Sequence, residues 1–474
     1  MSDGVGLRSS RGPILLAMMV STALVAIDAT ALAPAVVSIT DDIGGFSSFP
    51  WLFSIYLLTS AVTVPIYSKL ADTVGRKPII LIGIAIFLLG SVLCAVAWSM
   101  PALIVARAIQ GIGGGAILPV TVTIIGDIYS IAERAKVQGY TAGVWAIAAV
   151  VGPTIGGLFA QLDAWRWIFI INLPLGALAA WFIITRYHEQ VHHRRHRIDL
   201  AGAALLTLGS TALVLGVLEG GQAWAWDSPA SIAVFTVGAV ALVGFVLVER
   251  RAAEPVLPLP MLARPIIASN VILGFAIGAG LIGLTAFIPT YLEIGAGVSP
   301  LIAGFALATF TIGWPIAATF SGRLYLRFGF RATAILGGVI VVLGTLALVA
   351  LAATPSVVTI AIVCLFAGAG FGFASVPSLI AAQSSVAWGE RGVVTGTIMF
   401  SRSLGQAIGA AILGAIANAV IASNGGDQND PATIVAATTA VFIGVAVAAV
   451  VILIGAIVMP KTHTVAEEAQ PAAS

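Results

Sequence analysis

The chain has 474 residues, of which 59% are hydrophobic and only 9% charged, with a formal net charge of +2. Its mean hydropathy is +1.08, whereas a soluble domain carries about 25% charged residues. The solvent for most of this chain is therefore lipid, and the near-balanced charge carries no message about nucleic acid.

Runs of about 20 apolar residues predict membrane-spanning helices. Fourteen follow one another, over 13–37, 50–71, 78–98, 101–127, 137–161, 166–186, 200–219, 229–249, 266–292, 300–322, 332–352, 356–382, 392–418 and 433–459. A closed barrel is excluded, because its strands would alternate apolar and polar residues over about ten positions. The expected fold class is an all-α membrane protein. With Met1 placed in the cytoplasm, nineteen of the 22 basic residues fall in cytoplasmic loops and tails. Arg166 alone faces outward, and Arg107 and Arg402 lie within spans. This is the positive-inside pattern. One miscounted span would invert every later loop, so the charges support fourteen spans with both termini cytoplasmic. The first span is too long and too weakly flanked for a cleaved signal peptide. Cys94 and Cys364 both fall inside predicted spans, so no disulfide framework is expected.

In chain order, the first span carries Asp28, the sole acidic residue near the middle of any span in the first half. The turn after the second span reads "SKLADTVGRKPII" (68–80). There Asp72 can accept hydrogen bonds from the start of a neighbouring helix, where the macrodipole favours negative charge. Gly75 permits a tight turn, and Arg76 and Lys77 supply countercharge. Such a group is a conformational latch, or else topogenic charge alone. The fourth span contains "LIVARAIQGIGGGA" (103–116), in which Arg107 is the one full charge. The fifth contains "AVVGPTIGG" (149–157). Gly152 and Gly156 are four apart and share a helix face, Gly157 follows, and Pro153 removes a backbone donor and bends the helix. Small residues let another backbone approach closely. The seam serves either plain packing or a moving interface between halves.

The loop after the sixth span reads "RYHEQVHHRRHRID", with His192, His193 and His196. The residue types suit zinc, but a polybasic linker beside anionic headgroups is the reading adopted, and no metal site is expected. The chain also repeats itself. Residues 68–77 align with "GRLYLRFGFR" at 322–331 at an offset of 254, and "VGPTIGG" (151–157) aligns with "LGQAIGA" (404–410) at an offset of 253. That interval holds eight spans where each half needs six. The expected organisation is a six-helix bundle over 1–186, a polybasic linker with two inserted helices over 187–265, and a second six-helix bundle with a short tail over 266–474. Parallel repeats of this kind belong to a large class of secondary transporters.

These motifs, in this order, resemble the signatures of the major facilitator superfamily. With fourteen spans and "DAWRWIFIINLPLG" (163–176), the chain is similar to the drug/proton antiporters of the EmrB/QacA type. The resemblance covers essentially the whole chain. It implies two six-helix bundles, alternating access and proton-coupled export from the cytoplasmic membrane of a bacterium. It also implies a coupling role for the arginine matched by Arg107. The chain departs from the pattern at Ser68, where glycine is usual, and at Ala33, where asparagine is common. Pro34 comes early, and Leu326 stands in the second half where Asp72 stands in the first.

An arginine near mid-membrane costs about 2.5–3.5 kcal/mol on insertion scales, so Arg107 must meet a partner or water. At 1.5 Å per residue, Asp28 lies ~14 Å and Arg107 ~9 Å from the outer ends of their spans. A pair is allowed, directly or through Gln110 or water. A carboxylate whose pairing and exposure change between conformations takes up and releases a proton; a static pair would only fix packing. Arg402 is expected to pair with polar groups of the twelfth span, 356–382, or to snorkel inward. Tyr56, Trp145, Trp314, Gln110 and Arg402 are the candidate cavity residues, and Glu219, Glu293 and Asp127 fall at predicted span ends. One central carboxylate sets the expected substrates as neutral or monocationic lipophilic compounds. The partners expected are protons, such a substrate and the bilayer, with a monomeric chain and no cofactor beyond the proton gradient. An exporter of an endogenous lipid or metabolite is the alternative. A membrane-embedded enzyme or an ATP-driven pump is disfavoured, because G-x-S-x-G and G-x-x-x-x-G-K-[ST] are both absent. A sensor would need a larger extramembrane domain.

Overall fold

The computed structural model describes residues 5–44, 50–189, 199–221, 224–252, 255, 259–425 and 430–461. In chain order its helices are α1 (Gly12–Ala31), α2 (Val36–Ile43), α3 (Pro50–Val74), α4 (Arg76–Ala95), α5 (Met100–Ile128), α6 (Ile131–Gln161), α7 (Trp167–Ile170), α8 (Asn172–Arg186) and α9 (Leu200–Glu219). They continue as α10 (Pro229–Glu249), α11 (Leu259–Leu262), α12 (Pro265–Thr290), α13 (Pro300–Phe328), α14 (Phe330–Leu351), α15 (Val357–Ser384), α16 (Arg391–Ser423) and α17 (Pro431–Val458). The fold is all-α, with no β-sheet among the described residues. Thirteen helices are long and apolar enough to cross a membrane, taking α7 and α8 as one, and the apolar part of α9, Ala201–Val217, is shorter.

Local sequence accounts for the ends. Ser99, Ser228 and Ser356 cap α5, α10 and α15 through their hydroxyls, and Asp430 caps α17. Ser130 and Glu133 form a capping box at the start of α6. That start lies six residues before the one expected at 137, because Glu133, Arg134 and Lys136 make the first turns polar. The first span is also not one helix over 13–37. It breaks into α1, a 3-10 turn at Ala33–Ala35 and α2, because Pro34 lacks a backbone donor and biases Ala33 away from helix. Gly75 and Gly329 join α3 to α4 and α13 to α14 as single-residue turns, at φ +119° and +88°. A side chain is strained at such angles. These are the aligned glycines of the sequence repeat.

The chain divides into two compact units. The first comprises residues 1–216, 227–259 and 386–400; the second comprises 217–226, 260–385 and 401–474. The first is built round α5. The Cβ of any side chain at Gly113 would fall 2.3 Å from the Phe87 backbone nitrogen of α4, so only glycine allows the two helices this approach. Leu24, Phe87, Ile117 and Ile124 form part of one buried cluster. Leu103, Trp165 and Phe169 belong to another. Helices α9 and α10 pack through Ala203, Leu206 and Phe245 onto Ile66 of α3. In the second unit Val441, Phe442 and Val445 of α17 are buried. Outward-facing side chains such as Val240, Val243, Val358 and Val447 are more than 60% exposed, an arrangement that only lipid solvates without penalty.

Candidate functional site

Asp28 on α1, Arg107 and Gln110 on α5, Ser91 on α4 and Asn172 at the start of α8 are all buried in one cluster of the first unit. Arg107 Nη1 donates to Asp28 Oδ2 at 2.7 Å and to Gln110 Oε1 at 2.6 Å. The other carboxylate oxygen, Asp28 Oδ1, accepts from Gln110 Nε2 at 2.8 Å and from Asn172 Nδ2 at 2.9 Å. Arg107 Nε donates to the Leu52 carbonyl at 3.1 Å, and the guanidinium lies 4.4 Å from the centroid of the Tyr56 ring. Ser91 Oγ accepts from both amides. Arg107 and Gln110 reach Asp28 together because a spacing of three places them on one helix face. The pair is thus both direct and bridged by Gln110. Removing one partner of such a buried pair typically costs about 3–5 kcal/mol, because the remaining charge is stranded. The pattern did not single out Asn172. Its signal was available, as the lone amide of the apolar run 167–184.

The α3–α4 turn carries a second charge cluster. Asp72 Oδ1 and Oδ2 accept the backbone N–H groups of Gly392 and Val393, at 3.1 and 2.8 Å, at the start of α16. Arg76 is fully buried. It pairs with Asp72 at 2.7 Å and with Asp127 at 3.0 Å. Its guanidinium stacks 3.6 Å from the Trp388 ring centroid and donates to the Trp388 carbonyl at 2.8 Å. Arg391 also reaches Asp127, at 3.2 Å. Glu189 accepts the backbone N–H groups of Arg76 and Lys77, at 2.8 and 2.9 Å, and so caps α4. The Lys77 ammonium is spent on the Ile184 and Tyr187 carbonyls. Burial pushes the Tyr187 phenol well above its ordinary range. Asp127, Glu189, Trp388 and Arg391 complete this cluster, and none was expected in it. Asp127 is an interlocking member of the cluster and not merely an acid at a span end.

The glycine seam faces α1. A Cβ at Gly152 would lie 1.9 Å from Thr30 Oγ1, and one at Gly156 2.0 Å from the Ala31 carbonyl oxygen. Gly157 meets only Pro34 Cβ, at 4.0 Å, and Pro153 is exposed. The repeat-related Gly405 and Gly409 make the same approach in the second unit, to the Phe275 carbonyl oxygen at 2.0 Å and to Ala279 Cα at 2.7 Å on α12. Each seam thus has its close partner inside its own unit. In the second unit Arg402 lies 4.8 Å from the Trp314 ring centroid. Trp145 on α6 is 37% exposed and joins neither charge cluster. His192, His193 and His196 lie outside the described residues. Among the described residues no group of three or more His, Cys, Asp or Glu could hold a metal ion.

Comparison with known proteins is in keeping with this architecture. The profile of the Major Facilitator Superfamily matches residues 18–410. Multidrug resistance protein 3 of Bacillus subtilis (strain 168) is 34% identical over 405 residues, covering 85% of this chain and 79% of the relative. Multidrug transporter protein MdtP of the same organism is 33% identical over 414 residues, covering 87% and 76%. The fold resembles the crystal structure of the human organic anion transporter MFSD10 (TETRAN), with a TM-score of 0.63 at 16% identity over 93% of this chain and 99% of that one. It also resembles the proton:xylose symporter XylE, with a TM-score of 0.62 at 14% identity over 92% and 94%. The chain belongs to the Major Facilitator Superfamily, as a multi-pass membrane protein that acts as a secondary transporter and not as an enzyme.

Proposed function

We propose that the protein is a proton-coupled antiporter of the fourteen-helix EmrB/QacA type, exporting lipophilic small molecules by alternating access. The observation that carries this reading is the buried Asp28–Arg107–Gln110–Asn172 network. It holds the one carboxylate at that depth in an arrangement that stores or releases a proton when Arg107 moves. The names of the Bacillus subtilis relatives support multidrug export. In this reading α9 and α10 are inserted between bundles 1–186 and 266–474, both termini lie in the cytoplasm of a bacterial cell, and a single chain suffices. The Asp72–Arg76–Asp127–Arg391 cluster is the latch that one conformation makes and the other breaks. Asp28 already serves three donors, so no negative charge is spare for a dication. The substrates proposed carry at most one charge. The test is drug-driven proton movement in proteoliposomes under an imposed pH gradient. Coupled flux with mono-charged or neutral drugs supports the reading; drug movement that ignores the pH gradient contradicts it.

A further inference from the structure

Arg402 stands twelfth in the 33-residue α16, so its Cα lies about 17 Å along the helix, at membrane depth. The buried arginines of the first unit spend their N–H groups on oxygen. Arg107 has Asp28 and the Leu52 carbonyl, and Arg76 has Asp72, Asp127 and two carbonyls. Arg402 has none of these among the described residues. Its contact is the face of Trp314, 4.8 Å from guanidinium carbon to ring centroid. The side chain is only half-buried, and a mid-membrane cation that is neither paired nor sealed in faces water or a ligand.

The surroundings are built to hold an apolar body beside that charge. Trp314 stacks on Phe371 at a centroid distance of 5.9 Å and an interplanar angle of 24°. Phe310 packs edge-on to both, at 6.3 and 5.4 Å. The Ser375 hydroxyl, one turn beyond Phe371 on the same face of α15, has no hydrogen-bond partner among the described residues. None of α12 to α17 contains an Asp or Glu, so nothing there repels an anion or neutralises the guanidinium. Gly278 lets α12 press against the Arg402 carbonyl, where a Cβ would fall 2.0 Å away. Arg402 therefore projects from a helix packed closely against α12. By the repeat offset its first-half counterpart is Ala149, so this charge is peculiar to the second unit.

We propose that Arg402 and the Trp314–Phe371–Phe310 rings form a substrate subsite for lipophilic monoanions, chiefly carboxylates. The guanidinium fork takes the carboxylate through two parallel hydrogen bonds, and the rings take the apolar body. This rests on the export reading and moves its substrate class from neutral or monocationic compounds to neutral or monoanionic ones.

The test measures binding of three fluorescent probes of one skeleton, pyrenebutyrate, pyrenebutyramide and pyrenebutylamine, to the purified full-length protein. In the wild type the carboxylate binds tightest. Arg402→Gln weakens pyrenebutyrate roughly ten-fold or more, the scale of a lost charge-assisted hydrogen bond, and leaves the amide unchanged. Arg402→Lys keeps part of the preference, and Trp314→Leu weakens all three probes. An amide or amine that binds the wild type as well as the carboxylate overturns the subsite, whatever the variants do. So does an equal loss for all probes in Arg402→Gln, or no loss. Carboxylate-selective binding without proton-driven transport of pyrenebutyrate in proteoliposomes supports the subsite and contradicts the antiporter reading. Proton-driven export of the amide without carboxylate selectivity does the reverse.

Discussion

Asp72 receives the backbone N–H of Val393 at 2.8 Å, across 321 residues of sequence. Its carboxylate thereby caps the start of α16 while also pairing with Arg76. Asn in its place can accept at only one oxygen and turns an amide N–H₂ toward at least one of the three donors. Arg76 keeps Asp127 at 3.0 Å, so the variant is expected to fold. Asp72→Asn should therefore reach normal levels in the membrane but export roughly ten-fold more slowly, the scale of one lost charge-assisted hydrogen bond. Initial rates in proteoliposomes at matched protein check this, and a normal rate removes the latch from the account.

The seam offers an internally controlled comparison. Gly156 and its repeat partner Gly409 each abut backbone of another helix in their own unit, whereas Gly157 has only Pro34 Cβ at 4.0 Å. Gly156→Leu and Gly409→Leu should both block transport, because the helix must move off its partner; Gly157→Ala should be nearly silent. Transport assayed at equal protein levels separates these, and a normal Gly156→Leu transporter would rule out a close seam.

Asn172 donates to Asp28 Oδ1 at 2.9 Å from within α8. Asn172→Ala removes one of the three donors to that carboxylate without touching Arg107. The expected result is a roughly ten- to hundred-fold slower proton-coupled exchange, with thermal stability lowered less than by Arg107→Ala. An unaltered exchange rate would make Asn172 a packing residue only.

Asp42, on α2, accepts from Arg166 at 2.6 Å and from the Trp165 indole at 3.1 Å. The Arg166 hydrogen bond, then that of Trp165, hold its carboxyl below the ordinary value of 3.8. A carboxyl lowered on folding contributes stability above its unfolded value and loses that contribution as pH falls through the lowered one. Wild type should therefore melt slightly higher than Asp42→Asn near neutral pH, and the two curves should converge below about pH 3.8. A gap that stays constant down to strongly acidic pH would show that the carboxylate charge is irrelevant there.

The mid-membrane pair was legible because scarcity identifies it. Asp28 and Arg107 are the charges the first half carries at that depth, and the cost of burying either demands the other. The Asp72 cap was legible from residue type and turn position alone. The rest of that cluster was not. Asp127 and Glu189 sit 51 and 113 residues from Arg76, and in a linear pattern each reads as an ordinary interfacial acid. Trp388 and Arg391 lie in another half of the repeat altogether. The break in the first span was written in Pro34, but the apolar run on either side masked it. The start of α6 was written in the Ser130–Glu133 box and hidden by its own charges. The twin glycine seams show why the repeat could be read. Close helix approaches tolerate only small residues, so their spacing survives where the surrounding side chains differ.

The central claim is that Asp28 carries the coupled proton. It is tested most directly by recording the pH change inside proteoliposomes when a lipophilic substrate is added, for wild type and for Asp28→Asn. Asn retains the size of the side chain and can still accept from Gln110 or Asn172, but it cannot ionise. The wild type should give a substrate-dependent proton signal. Asp28→Asn should give none while still binding the same compound. A signal of unchanged size in Asp28→Asn would contradict the account and place the coupling proton elsewhere in the protein.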